Sequence, residues 1–403
     1  MTWTTLRLRV VTPLFSGDHP KAETTDSPIR VPSIRGALRF WFRAVAAGHR
    51  VTDLRELWTD ERQVFGSTDR PSPIRLRVDG QPSTSRTAKP DWAGGANQQG
   101  PHGSHYLLGQ GLWKHERGLT RPYVPPSDKA QFGLCIRFSG NTVTDTRFLL
   151  ALWAWLTYGG LGARTRRGFG QLACTAVDGD LADDPILTDL LTTRTRRRWE
   201  ELSQSAIPAS LRDPERTGWH DWAQDDPDPT EALPEFPTLA PSWWQATLAA
   251  GGRTLGAALD TIGQDWREFR VVTPPSSPEW QHAIHGQHDP RYPIAALGLP
   301  VGYHSQRSGF DGSVEPVRPS GRGVEVLRRA SPVWLRPIRI GDGWQLFTHV
   351  FYARLLPADA TLRITGDGHN RPLDVPDQHA IVTAWDAWLD RVDRLPPNFY
   401  GTP

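Results

Sequence analysis

Two short stretches of this chain combine arginine, glycine and phenylalanine in patterns suited to gripping phosphate. In the first, Arg30-Val-Pro-Ser-Ile-Arg-Gly-Ala-Leu-Arg-Phe-Trp-Phe-Arg43, a helix sets Arg35, Arg39 and Arg43 at i, i+4 and i+8 along one stripe. Like charges at that spacing repel by roughly a few tenths of a kcal/mol per pair unless an anion lies across them. Ser33 is a candidate N-cap, and Gly36 would let another backbone approach the helix start, where free N–H groups favour phosphate. A solvated stripe neutralised by acids elsewhere is the competing reading. In the second stretch, Tyr158 to Gly170, the glycines Gly159, Gly160, Gly162, Gly168 and Gly170 surround Arg164, Arg166 and Arg167. Glycine admits positive φ and exposes backbone N–H groups, while arginine binds phosphate through two parallel hydrogen bonds. Phe169 would either stack on a base or anchor the following strand. The spacing fits neither a Walker loop, which needs GK[ST], nor a dinucleotide fingerprint, because this loop follows a helix. A weaker third signal is the pair Arg328 and Arg329 ahead of Ala-Ser-Pro-Val-Trp-Leu-Arg-Pro.

Enzyme chemistry is harder to build. His282, His285 and His288, followed by Asp289, have ligand-type spacing, but Gly286 and Pro290 prevent one helix from presenting all three. A loop with exposed histidines is expected there, and His102 with His105 is a weaker pair again. No G-x-S-x-G elbow is present. The expectation is no catalytic residue, no metal and no cofactor.

At 403 residues the chain is longer than one core usually holds, so two domains are expected. Only two cysteines occur, Cys135 and Cys174, too few for a disulfide framework or a thiolate cluster. The longest strongly apolar run, Phe148 to Leu156, is about half a membrane span, and the N-terminus lacks a signal-peptide plan, so a cytoplasmic location is expected. The net charge of +2 hides an asymmetry. Residues 1–175 carry 24 basic and 13 acidic side chains, residues 176–235 carry 6 and 15, and residues 236–403 carry 16 of each. A basic field of this kind attracts polyanions, unless the acidic stretch that follows neutralises it.

The elements that must position the two arginine stretches follow from periodicity. Thr4 to Thr12 alternates as a strand, and Ile34, Ala37, Leu38, Trp41, Phe42 and Val45 form the buried stripe of a helix. Leu54 to Phe65 is a second helix, Ile74 to Val78 a strand, and residues 80–105 a mobile loop. Phe132 to Phe138 is a strand, Asp145 to Tyr158 a well-buried helix, and Gln171 to Val177 a closing strand. The fold class is α+β, and this order is the βαββαβ plan of a ferredoxin-like, RNA-recognition-type domain with insertions, over residues 1–177. Residues 178–240, acidic and proline-dotted, read as a linker with some helix near Thr193 to Ser203. Residues 241–403 read as a second ferredoxin-like domain: a helical pattern from Trp243 to Arg267, a first strand at Glu268 to Thr273, a hairpin around Asp342-Gly343, and a closing helix from Ala380 to Leu395.

The opening TPLFSGD, then RVPSIRGALRFWFRA, VFGS at Val64 to Ser67, and GGLGARTRRGFG resemble the RAMP superfamily of CRISPR proteins. LGLPVG and RRASPVWLRPI narrow the resemblance to the first-subunit family of the type III-B (Cmr) RNA-targeting effectors. It spans Thr12 to about Arg354 and is weakest in the acidic middle. The resemblance implies two packed ferredoxin-like domains and a non-catalytic subunit near the 3′ end of the guide. Its implied partners are CRISPR guide RNA, single-stranded target RNA and the other Cmr subunits, with no membrane. Carried onto this sequence, RNA contact falls on Arg30, Ser33, Arg35, Gly36, Arg39, Arg43, the Gly159 to Gly170 loop with Arg164, Arg166, Arg167 and Phe169, and Arg328 and Arg329. The alternative within the superfamily is a metal-independent endoribonuclease that processes precursor guide RNA, for which His19 is the nearest general base.

Overall fold

The computed structural model describes residues 3–16, 28–48, 53–94, 102–192, 195–219, 233–249, 251–271, 292–305, 310–321, 323–366 and 369–394. His19 and the His282, His285, His288 group lie outside them. The chain is α+β. Its first half runs β1 (Thr4–Val10), α1 (Val31–Gly48), α2 (Leu54–Phe65), β2 (Arg75–Asp79), α3 (Gly103–Leu108), a two-residue ladder of β3 (Trp113–Lys114) and β4 (Gly118–Leu119), β5 (Gln131–Arg137), α4 (Thr142–Tyr158) and β6 (Leu172–Asp178). The strands β2, β5, β1 and β6 lie side by side in that order, all antiparallel. Alternation in β1 buries Leu6, Leu8 and Val10 on one face, against α1 and α4. From Asp145 to Tyr158 every residue of α4 is buried. That explains its apolar character all round, because a helix with no wet face needs no polar stripe.

Three differences from the sequence expectations have physical causes. The described part of 178–240 is no free linker. It forms α5 (Pro185–Leu191), α6 (Arg196–Gln204) and α7 (Pro214–Thr217), whose Ile186, Leu187, Trp199 and Leu202 are buried in the first core. Buried anchors across this layer hold it down: Tyr158 donates to Ala206 O at 2.6 Å, and Arg147 donates to Thr217 O at 2.6 Å while pairing with Asp60 at 2.9 Å. The stretch expected as one helix from Trp243 is a strand, β7 (Trp244–Ala249), then α8 (Leu255–Val271). Gly251 and Gly252 break it, and a Cβ on Gly251 would lie 1.6 Å from Trp344 O. The expected first strand at Glu268 is accordingly the tail of α8. Third, the 80–105 loop is structured where described: Asp91–Ala93 is a 3-10 turn, and Gly103 opens α3.

The second half continues with β8 (Val301–Ser305), β9 (Phe310–Ser320), β10 (Gly323–Val326), β11 (Val333–Ile340), β12 (Gly343–Phe351), β13 (Thr361–Gly366), β14 (His369–Leu373) and α9 (Gln378–Asp393). A peripheral sheet holds β10, β9, β13 and β14 in that order, with β8 also on β9. The central element is the three-stranded sheet β11-β12-β7, which is buried on both faces. Phe347 and Phe351 of β12 and Trp334 and Ile338 of β11 enter the first core, while Leu346, Val350, Val333 and Leu335 enter the second. Such doubly covered strands have near-continuous apolar sequences.

His349 sits on the first-core face of that sheet, fully buried, stacked on Trp334 with ring centroids 5.5 Å apart and ringed by Trp41, Tyr158, Trp244 and Phe351. Among the described residues, neither ring nitrogen has a hydrogen-bond partner. Burial, with the charges of Arg336 and Arg166 adding to it, holds its pKa well below the ordinary histidine value.

Two predictions follow from this packing. Because folded His349 resists a proton that the unfolded chain takes up near pH 6.5, its stabilising contribution is complete above that pH and is lost as pH falls below it. Stability should drop by up to about 1.4 kcal/mol per pH unit there, and denaturation of His349→Phe across pH 5–8 should show a shallower slope. The crossing of α3 and α8 depends on glycine contact, since a Cβ on Gly263 would lie 2.0 Å from Gly103 O. Gly263→Ala should therefore cost about 1–3 kcal/mol by overpacking, read as a lower denaturation midpoint.

Candidate nucleic-acid interface

Helix α1 begins at Val31, with Ile34 N already bonded to Arg30 O at 3.2 Å. Ser33 is thus inside the first turn and not its N-cap. Gly36 is exposed, and a Cβ there would meet nothing within 4 Å, so no neighbouring backbone uses its small size. The arginine stripe is real but unevenly neutralised. Arg39 pairs with the buried Glu61 at 2.5 Å and donates to Gly66 O at 2.8 Å, and Arg43 reaches the other Glu61 oxygen at 3.4 Å. Arg35 has no hydrogen bond or ion pair among the described residues. Arg30 and Arg328 are exposed.

The Gly159 to Gly170 loop uses its glycines to fit against its own chain. A Cβ on Gly170, at φ +70°, would lie 2.0 Å from Leu161 O, and one on Gly162, at φ +89°, 2.4 Å from Phe15 O. Gly159, Gly160 and Gly168 pack against Trp41, the Gly170 backbone and Pro337. Its amides are largely engaged internally: Leu161 N donates to Gly170 O, Ala163 N to Phe15 O and Gly170 N to Pro13 O. The expectation that this backbone presents open N–H groups is corrected accordingly. Phe169 is fully buried and edge-on to Phe15 and Trp92, so it anchors the loop and is closed to a base.

The three loop arginines diverge. Arg166 turns into the seam between the two cores, donating to Ser331 O at 2.5 Å, with its guanidinium 5.4 Å from the Phe40 ring and 5.0 Å from Trp334. Burial there, and the nearby Arg329, push its pKa down to about 10. Arg329 is itself lowered by burial, and its Nε and Nη2 are buried without partners.

Arg164 and Arg167 turn the other way, into a cavity of about 630 Å³ walled by the loop, α3, α8 and the segment from Ile294 to Gly302. Arg267 and Arg270 enter it from α8, and His102, His105, Tyr106, Trp113 and His115 complete the lining. Arg167 lies over the Trp266 ring at 4.8 Å and Arg270 at 5.9 Å. Burial, then Arg270, push the Arg167 pKa down to about 9, and the same two causes lower Arg164. Arg167 remains cationic at neutral pH. Among the described residues none of the four has a carboxylate partner. Asp260, at the rim, is occupied: it accepts from Gly103 N at 2.6 Å and Gln264 Nε2 at 2.9 Å, and lies 3.4 Å from His102 Nδ1. His105 stacks flat on Trp113 at 3.8 Å, its Nε2 2.8 Å from Ala93 O. Sequence reasoning missed Arg267 and Arg270, whose one local signal was their i, i+3 spacing in a segment divided between a helix and a strand. It also missed the α3 wall.

Residues 7–173 match the RAMP superfamily. Over 160 residues the chain is 32% identical to CRISPR system Cmr subunit Cmr1-1 of Pyrococcus furiosus, a match covering 40% of this chain and 44% of that subunit. It is 27% identical over 173 residues to Cmr1-2 of the same organism, covering 41% of this chain and 91% of that one. The chain thus spans less than half of the first relative. In fold, 96% of the chain is similar to 97% of the crystal structure of apo Cmr1 from Pyrococcus furiosus, with a TM-score of 0.57 at 20% identity. A chain in the cryo-EM structure of a type III-B Cmr-beta complex bound to cognate target RNA and AMPPnP gives a TM-score of 0.51 at 12% identity, over 96% of this chain and 99% of that one. No helix among the described residues is long and apolar enough to cross a membrane.

The uneven neutralisation of the α1 stripe makes a prediction. Arg39→Ala leaves the buried Glu61 with only the longer Arg43 contact and should cost about 1–3 kcal/mol, whereas Arg35→Ala should change stability by less than about 0.5 kcal/mol. Urea denaturation of the two variants separates them, and equal losses would show that the stripe is structural throughout.

Proposed function

From a chain whose first half is a RAMP superfamily domain and whose fold is similar to Cmr1, we propose a non-catalytic RNA-binding subunit of a type III-B Cmr effector, acting with guide RNA, target RNA and other Cmr subunits. The observation that carries this reading is the convergence of Arg164, Arg167, Arg267 and Arg270 on one cavity without a described carboxylate partner. Four confined cations repel one another, and a polyanion is the ligand that relieves this. Arg30 ahead of α1, Arg35 on α1 and Arg328 ahead of β11 are further candidate contacts. Arg39, Arg43 and Arg166 hold the fold that presents it.

The two-domain ferredoxin-like reading belongs to the same proposal. Strand order β2-β5-β1-β6 with α1 and α4 on one face supports it for the first unit. For the second, β7, α8, β11, β12 and α9 follow the same plan in sheet order β11-β12-β7, without a fourth strand among the described residues. The described part of the 178–240 segment is then a packed layer of the first unit.

Contacts of this type grip the backbone and leave sequence to be read by base pairing. Anisotropy with labelled single-stranded RNA should show affinity falling steeply with salt, by roughly 0.7 log units per log unit of salt for each phosphate neutralised. The triple variant Arg35→Ala, Arg164→Ala, Arg267→Ala should lose about tenfold or more, alike for unrelated sequences. The RNA should emerge uncut on a denaturing gel. Site-specific cleavage would favour the processing-nuclease alternative, and unchanged affinity in the triple variant would remove this surface from RNA contact.

A further inference from the structure

We propose that the cavity between the glycine-rich loop, α3 and α8 receives a terminal phosphate monoester of an RNA strand in preference to its internal diesters. The inference rests on the RNA-binding reading above and adds the chemical state of the group bound. Charge is the first argument. An internal diester brings one negative charge, whereas a phosphate monoester carries about −1.5 to −2 at neutral pH. Arg164, Arg167, Arg267 and Arg270 bring four positive charges, and the carboxylate at the rim, Asp260, is already engaged by α3 and Gln264. The more highly charged group compensates this cluster better.

Donor geometry is the second argument. All four cations are arginines, whose planar forks each address two oxygens of one phosphate, and a monoester offers three terminal oxygens where a diester offers two. Arg167 and Arg270 are held against the same indole, Trp266, so part of the cluster is organised before any ligand arrives. Room for the Arg164 fork comes from Gly109, at the C-terminal end of α3: a Cβ there would lie 2.7 Å from Arg164 Nη2.

Size and lining give the third. A volume of about 630 Å³ falls within the roughly 300–1,000 Å³ of sites that hold one small ligand, enough for a single nucleotide. Tyr106 and Trp113 supply the apolar walls that a ribose or base packs against.

The test uses the full chain and one labelled RNA sequence in four forms: hydroxyl or phosphate at the 3′ end, and hydroxyl or phosphate at the 5′ end. Anisotropy at fixed salt should show one phosphorylated form binding about tenfold tighter than its hydroxyl counterpart. Arg164→Gln with Arg267→Gln, in a double variant whose thermal denaturation matches the wild-type chain, should erase that difference while weaker binding of all forms persists. Equal affinity of the wild-type chain for all four RNAs overturns the inference and leaves the RNA-binding reading standing. Absence of binding by any RNA overturns both. A calorimetric titration with adenosine monophosphate separates the two sources of a monoester: saturation by the free nucleotide together with no end preference in RNA would reassign the cavity to a small ligand and overturn the RNA-end inference.

Discussion

The rest of the structure depends on the sheet β11-β12-β7 being buried on both faces. Most sheets at a domain junction have one dry face and one wet or loosely covered face. Here residues on each of these strands enter the first core or the second, and the two cores share one layer. Arg336 of β11 shows what this arrangement does for the candidate site. Its guanidinium, nearly buried, donates to Gly159 O at 2.5 Å and Leu156 O at 3.1 Å. These are carbonyls at the C-terminal end of α4, which have no partner within the helix and carry the negative end of its dipole. The glycine-rich loop starts at that point, so a residue of the second half terminates the first half's central helix and sets the loop's origin. The backbone bond from Leu335 N to Arg166 O at 3.1 Å then fixes its middle.

Seen this way, the loop is a distributor of charge. Its backbone is closed on itself by the glycines, and its arginine side chains point to different places. Arg166 lies beside the Phe40 and Trp334 rings in the seam, where its role is cohesion. Arg164 and Arg167 project into the cavity, where they meet the two arginines of α8. Partial removal of water around these cations raises their electrostatic cost.

Much of the scaffold was legible from residue patterns, because periodicity reports local burial. Leu54 to Phe65 is a helix over those residues, and the hairpin expected around Asp342-Gly343 is present, turning one residue earlier at Gly341 and Asp342. The strand order of the first sheet follows from the βαββαβ succession. Failures came where tertiary contacts decide. The Trp243 segment has apolar residues compatible with either period, and only pairing with β12 makes it a strand. The arginine stripe of α1 has the spacing of a phosphate ladder, but Glu61, from another helix, occupies most of it. The cavity was invisible because its four arginines come from segments about a hundred residues apart, and because the wall at α3 lies in a polar, glycine-containing stretch that looks like a surface loop. Of the predicted contact residues, Arg164 and Arg167 converge with their unpredicted partners, whereas Ser33, Gly36 and Phe169 serve local structure or stand apart.

The doubly buried sheet also constrains how this sequence can change. Side chains on a strand alternate faces, so a shift of one residue moves every side chain to the other face. In an ordinary half-exposed strand such a slip trades core for solvent. In β12 it would send Phe347, His349 and Phe351 into a space shaped for Leu346, Thr348 and Val350, and the smaller set into a cage of tryptophans, disrupting both halves at once. A single-residue insertion or deletion within this strand should therefore disrupt both halves, whereas the turn at Gly341 and Asp342 can change length without moving the register.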